Sequence, residues 1–165
     1  KIVWFNINEE ETINKEKVNY VGVEAYPISE EEIAQMNYVS KLDAKKYQEV
    51  FDKMHSCDWE NQQTITEIFL LTKRKQFFQD IEDKNQFVLI YFDAFGFPLQ
   101  PELWSEVIFK KMYDALLPKG TLVTYACRSS IKNAMLSVGF SIEKLPGAPG
   151  KREMLRATKN VWFLL

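Results

Sequence analysis

Residues 87 to 92 read FVLIYF, and Asp93 follows at once. A short run that is apolar on both faces fits a central strand of a parallel sheet covered by helices. That single segment restricts the chain to folds with a buried sheet. The remaining strand candidates are residues 18–27, 64–75 and 121–127, then a closing pair around 141–147 and 154–164. Helical stretches fall between them. Ser29 with Glu32 makes a capping box ahead of a helix over 29–39. Tyr47, Val50, Phe51 and Met54 give an apolar side to 43–55. Pro101 opens a helix expected to run to Pro118, Lys119 and Gly120, and 129–140 is a helix ending at Gly139. Strands alternating with helices predict one α/β domain over residues 1–165, with an open, mostly parallel sheet and an antiparallel C-terminal strand pair.

Ligands bind such sheets beyond the carboxyl ends of the strands. That rule selects Glu24, Thr72 with Lys73, Asp93 with Ala94 and Phe95, and the segment from Ala126 to Arg128. Asp93 can accept hydrogen bonds from an amine or hydroxyl of a ligand, or it can cap the next turn. Glu24 can take a ribose diol, or it can be a solvated strand end. Phe95, Phe97 and Trp104 can stack a planar ligand or pack a lid. The stretch PGAPGKREM, residues 146–154, fixes a loop path with prolines and glycines and then sets down Lys151, Arg152 and Glu153. The two cations can grip an anion or simply be solvated.

Several chemistries find no support. The sole histidine, His55, cannot build a histidine metal cluster, and Cys57 and Cys127 have no partners at catalytic or zinc spacing. No metal site is expected. Two distant cysteines make a reducing cytoplasm the default. A net charge of -2 does not suggest a general nucleic-acid binder, though a local basic patch is compatible with it. No apolar run reaches membrane-spanning length.

The segment from Tyr91 to Ala157 resembles the C-terminal half of the MnmC-like methyltransferase family. The resemblance rests on DAF at 93–95, PELW at 101–104, the strand through Leu122, Thr124 and Tyr125, the GF at 139–140, and GKREM at 150–154, in that order. VGVEAYP at 21–27 resembles the family's second strand. The resemblance implies a class I Rossmann-like methyltransferase, doubly wound, that uses S-adenosyl-L-methionine. It implies Glu24, Asp93 and Ala94 on the cofactor and Asp93 at the reacting amine. Phe95, Trp104, Lys151, Arg152 and Glu153 would meet the substrate, with Glu153 paired to Lys151 or Arg152. It further implies tRNA as substrate, with an aminomethyl group on the wobble uridine as acceptor. A separate FAD-dependent oxidase is the implied partner, because the family's fused oxidase domain has no counterpart here.

Three departures stand out. The family's first strand and its E-x-G-F-G-T-G-x-N loop are expected to have no counterpart: either they are lost, or residues are left out at the junction of unlike stretches near 11–16. Residues 1–21 contain no glycine. TKRKQFFQD at 72–80 is basic where the family has an acid near adenine, and AFGFP at 94–98 replaces a shorter form. A degenerate binding module and a small-amine methyltransferase are the alternatives.

Overall fold

In the computed structural model the described residues are 2–8 as backbone, 17–147, 149–150 and 152–160. The strands are β1 (Ile2–Asn8), β2 (Lys17–Val23), β3 (Gln62–Thr66), β4 (Phe69–Arg74), β5 (Phe87–Phe92), β6 (Leu116–Thr124), β7 (Phe140–Pro146) and β8 (Glu153–Lys159). The helices are α1 (Glu30–Ala34), α2 (Tyr38–Lys41), α3 (Gln48–Ser56), α4 (Glu106–Ala115) and α5 (Ser129–Ser137). One sheet runs in the order β3-β4-β2-β1-β5-β6-β8-β7.

The run at 87–92 becomes β5 and lies inside the sheet between β1 and β6. Ile90 and Phe92 are sealed into the core, but Tyr91 on the other face is 44% exposed. The apolar pattern predicts burial on both faces, and Tyr91 departs from it. Of the seven neighbouring strand pairs, β2 with β4 and β5 with β6 are parallel, and five are antiparallel. The sheet is therefore mixed, not mostly parallel. The reason is β1, which enters antiparallel to both β2 and β5. The expectation of a missing first strand is corrected in part. Ile2–Asn8 fills the position between β2 and β5, running the opposite way. Because β1 is antiparallel to both, β2, β4, β5 and β6 still share one direction. Their carboxyl ends therefore meet at one edge.

Two further boundaries differ from expectation. The run at 64–75 is a hairpin of β3 and β4, not one strand. The Ile68 N–H donates to the Thr66 hydroxyl at 3.4 Å, a local bond that helps form the turn. The helix expected to reach Gly120 opens with a 3-10 turn at Pro101–Trp104 and resumes as α4, which stops at Ala115. Leu117 precedes a proline and is held extended. Orphan carbonyls at the end of α4 are met by the N–H groups of Asn85 and Gln86, each at 2.8 Å, on Asp114 and Ala115.

Helices lie on both faces of β2. Val21 and Val23 join α4 and α5 in the main core, where Ile108, Phe109, Met112, Ile131 and Met135 are buried. Tyr20 and Gly22 face the α3 side. Lys73 ties α3 to the sheet by donating from Nζ to the His55 carbonyl at 2.8 Å. The Ser29 capping box forms as read, with both of its reciprocal bonds present.

Burial pushes the Tyr20 phenol up to about 12. A folded value above the usual ~10 means that its stabilising contribution is complete below about pH 10 and lost as pH rises through the folded value. Melting temperature is expected to fall across that alkaline window, and Tyr20→Phe should flatten the fall. An equally steep fall in the variant would refute this assignment.

Candidate functional site

The shared carboxyl edge carries the candidate residues. Glu24 follows β2 directly. Its N–H donates to the Arg74 carbonyl at 3.0 Å, continuing the β2–β4 ladder. Its Oε1 accepts the Tyr26 N–H at 3.0 Å, which fixes the carboxylate over the turn. Asp93 follows β5. Ile2 pairs with both Val23 and Phe92, so two strand spacings, about 10 Å, separate the two acids laterally. That separation is comparable with the length of a nucleoside.

The loop after β5 is pinned from below. The Tyr125 hydroxyl donates to the Ala94 carbonyl at 2.7 Å. The Trp104 indole Nε1–H donates to the next carbonyl, that of Phe95, at 2.8 Å. Two aromatic side chains thus hold two successive peptide groups immediately after Asp93. Burial and then the Asp93 charge raise the Tyr125 phenol above its ordinary value, which keeps it a donor. Trp104 is 2% exposed and packs edge-on against Phe92 at 5.2 Å and Tyr125 at 6.2 Å. It offers no open ring face for stacking, and its contact with the site is through the Phe95 carbonyl. Phe95 itself is 66% exposed and Ala94 is buried.

The C-terminal loop reaches the same edge. Thr124 pairs with Leu155 across β6 and β8, so the start of β8 lies beside the end of β6. The Cys127 thiol donates to the Glu153 carbonyl at 3.3 Å and joins the two segments. Burial and then the Glu153 charge push that thiol up, which disfavours a thiolate. The Glu153 carboxylate pairs with Lys144 of β7 at 2.8 Å. Lys144 comes within reach because β7 and β8 are antiparallel neighbours; of the pairing expected within the triplet, the Lys151 half lies outside the described residues. Lys144 is raised above its ordinary value by that hydrogen bond and charge. The Gly147 N–H donates to the Arg152 carbonyl at 3.2 Å, closing the loop as a hairpin connection. Arg152 is exposed, and Lys151 lies outside the described residues.

Glu24 also borders a cleft of about 790 Å³ on the α3 side, lined by Tyr20, Gly22, Ile33, Trp59 and Lys73 among others. Asp93 does not line it. No group of three or more His, Cys, Asp or Glu placed to hold a metal occurs among the described residues. No helix among them is long and apolar enough to cross a membrane. The sequence pattern includes Tyr125 within a strand match and Arg128 at the edge, but gives neither a role. Position one to four residues past the end of a strand is the available signal.

Comparison with known proteins places these features in context. A family model described as S-adenosyl-L-methionine-dependent methyltransferase matches residues 34–160. The tRNA 5-methylaminomethyl-2-thiouridine biosynthesis bifunctional protein MnmC of Campylobacter fetus is 25% identical, over 93% of this chain and 27% of its own length. Its namesake from Actinobacillus pleuropneumoniae is 24% identical, over 87% of this chain and 22% of its own length. The chain thus spans about a quarter of these relatives. The crystal structure of MNMC2 from Aquifex aeolicus superimposes with a TM-score of 0.64 at 17% identity, covering 86% of this chain and 43% of that one. That likeness is one of fold.

Proposed function

The chain belongs to the S-adenosyl-L-methionine-dependent methyltransferase family, and from that membership we propose that it N-methylates an aminomethyl group on the wobble uridine of tRNA. The observation that carries the proposal is the pair of carboxylates, Glu24 and Asp93, at the ends of two like-directed strands, with the segment after Asp93 pinned by Tyr125 and Trp104. When bound, the cofactor supplies an electrophilic methyl group on a sulfonium.

The residues present fit its nucleoside half. A carboxylate offers about four lone-pair sites, so Glu24 can accept from both hydroxyls of a ribose diol while serving the Tyr26 N–H. Asp93 and Ala94 stand at the neighbouring edge of β5. The fit is weaker for the amino-acid half. Residues 1–21 contain no glycine, and β1 runs antiparallel, so no glycine turn opens between Glu24 and Asp93.

At the reacting end, Asp93 accepts a hydrogen bond from the substrate amine and takes its proton as the nitrogen becomes methylated. Such work is general-base catalysis, added to the larger contribution of positioning. Phe95, exposed at the tip, excludes water, while Trp104 acts on the pocket from beneath. Arg152 and Lys151 are the proposed phosphate contacts of the closing loop.

Calorimetric titration with S-adenosyl-L-methionine tests the assignment. Wild type is expected to bind. Glu24→Ala should bind at least about 100-fold more weakly, since hydrogen bonds to a charged group contribute about 1.5–3 kcal/mol each and two are lost. Glu24→Gln, which keeps an acceptor for Tyr26, should be intermediate. Unchanged affinity in Glu24→Ala would remove Glu24 from the site.

A further inference from the structure

Arg128 stands out among the cations at the carboxyl edge. It lies between the end of β6 and the first turn of α5, next to Cys127, whose thiol meets the start of β8. Its guanidinium carbon sits 4.7 Å from the centre of the Phe97 ring. Two other arginines answer to acids: Arg74 to Asp83 at 2.7 Å, and Arg156 to Glu143. Arg128 has no carboxylate partner among the described residues, and the nearby Glu153 is engaged by Lys144. A cation held by an aromatic face and not by an acid keeps its charge and its donors available.

We propose that Arg128, ordered by stacking on Phe97, contacts the anionic backbone of the RNA substrate. This inference rests on the tRNA reading above and adds a residue and a mode of contact to it. A guanidinium is planar. One face can lie on Phe97 while the edge presents paired N–H donors that match two phosphate oxygens. Stacking fixes the plane beforehand, so less freedom is lost when the phosphate arrives. The location also suits the task. Phe97 belongs to the loop that begins at Asp93 and carries Phe95, so an RNA strand held at Arg128 would lie beside the proposed reacting position. Exposed Leu99 and Phe95, 76% and 66% accessible, border the same loop and offer apolar surface to an unstacked base.

Binding of an unmodified tRNA transcript to the chain, measured at several salt concentrations, tests the proposal. Arg128→Ala is expected to bind about tenfold more weakly at low salt. Its log-affinity against log-salt slope should be shallower by about 0.7–0.9. Arg128→Lys should keep the wild-type slope yet lose affinity, because a lysine keeps the charge without the planar fork. Phe97→Leu should likewise weaken binding at unchanged slope. Thermal melting of Arg128→Ala should match wild type, which separates lost contact from lost fold. Wild-type affinity and slope in Arg128→Ala would overturn this inference and leave the tRNA reading standing. Wild-type affinity in Arg128→Lys would overturn the stacked-plane mode. Failure of the wild-type chain to bind the transcript at low salt would overturn the tRNA reading, and this inference with it.

Discussion

Asp93→Asn is expected to slow methyl transfer at neutral pH by about 10²–10⁴-fold, the usual contribution of a positioned acid or base. Asparagine keeps the size and the hydrogen-bonding shape of the side chain. It removes the capacity to take a proton from the amine. The substitution sits past the end of β5, outside the buried cluster, so folding should survive it. A second readout distinguishes base loss from general damage. As pH rises the substrate amine sheds its own proton, so the Asp93→Asn enzyme should recover part of its rate in alkaline buffer. The wild type should change less over the same range. A variant that is equally slow at every pH would point to misplacement of the loop. A variant with wild-type rate would remove Asp93 from the chemistry.

Trp104→Ala is expected to lower stability by about 3–5 kcal/mol, the range for truncating a buried large aromatic. Such a loss can equal most of the stability of a domain this size. The indole is enclosed by Phe92, Phe109 and Tyr125. Its N–H is the donor to the Phe95 carbonyl. The two roles can be separated. Trp104→Phe keeps much of the packing and removes the donor, so a smaller loss of about 1–3 kcal/mol is expected from the unsatisfied carbonyl. Urea denaturation measures both. If Trp104→Ala unfolds outright, Trp104→Phe still reports on the pin beneath the site. Loss within about 1 kcal/mol in Trp104→Ala would show that the side chain is not part of the core.

The features legible in the sequence are those governed by local pattern. An apolar run ending in Asp93 announces β5 and the edge beyond it. Ser29 and Glu32 announce a capping box, whose two bonds are 3.2 and 2.8 Å. Strand direction is not legible, because it is set by pairing between distant segments. Residues 2–8 are rich in β-branched and aromatic side chains, yet nothing in them states that they run against both neighbours. The hairpin at Glu67 and Ile68 lacks glycine, proline and asparagine, so no turn residue marks it. Trp104 reads as a possible stacking surface because an aromatic beside a loop can face either way. Its burial follows from Phe92 and Phe109 closing around it. The Glu153–Lys144 pair depends on the register of β7 against β8, which composition cannot supply.

Transfer of labelled methyl groups from S-adenosyl-L-methionine to a tRNA bearing an aminomethyl uridine, catalysed by this chain alone, tests the carboxyl edge as a catalytic centre. Wild type should label the tRNA, Asp93→Asn should do so at least about 10²-fold more slowly, and a tRNA without the aminomethyl group should stay unlabelled. Cofactor binding by calorimetry with no label transferred to any amine acceptor would contradict catalysis and leave the edge as a binding surface.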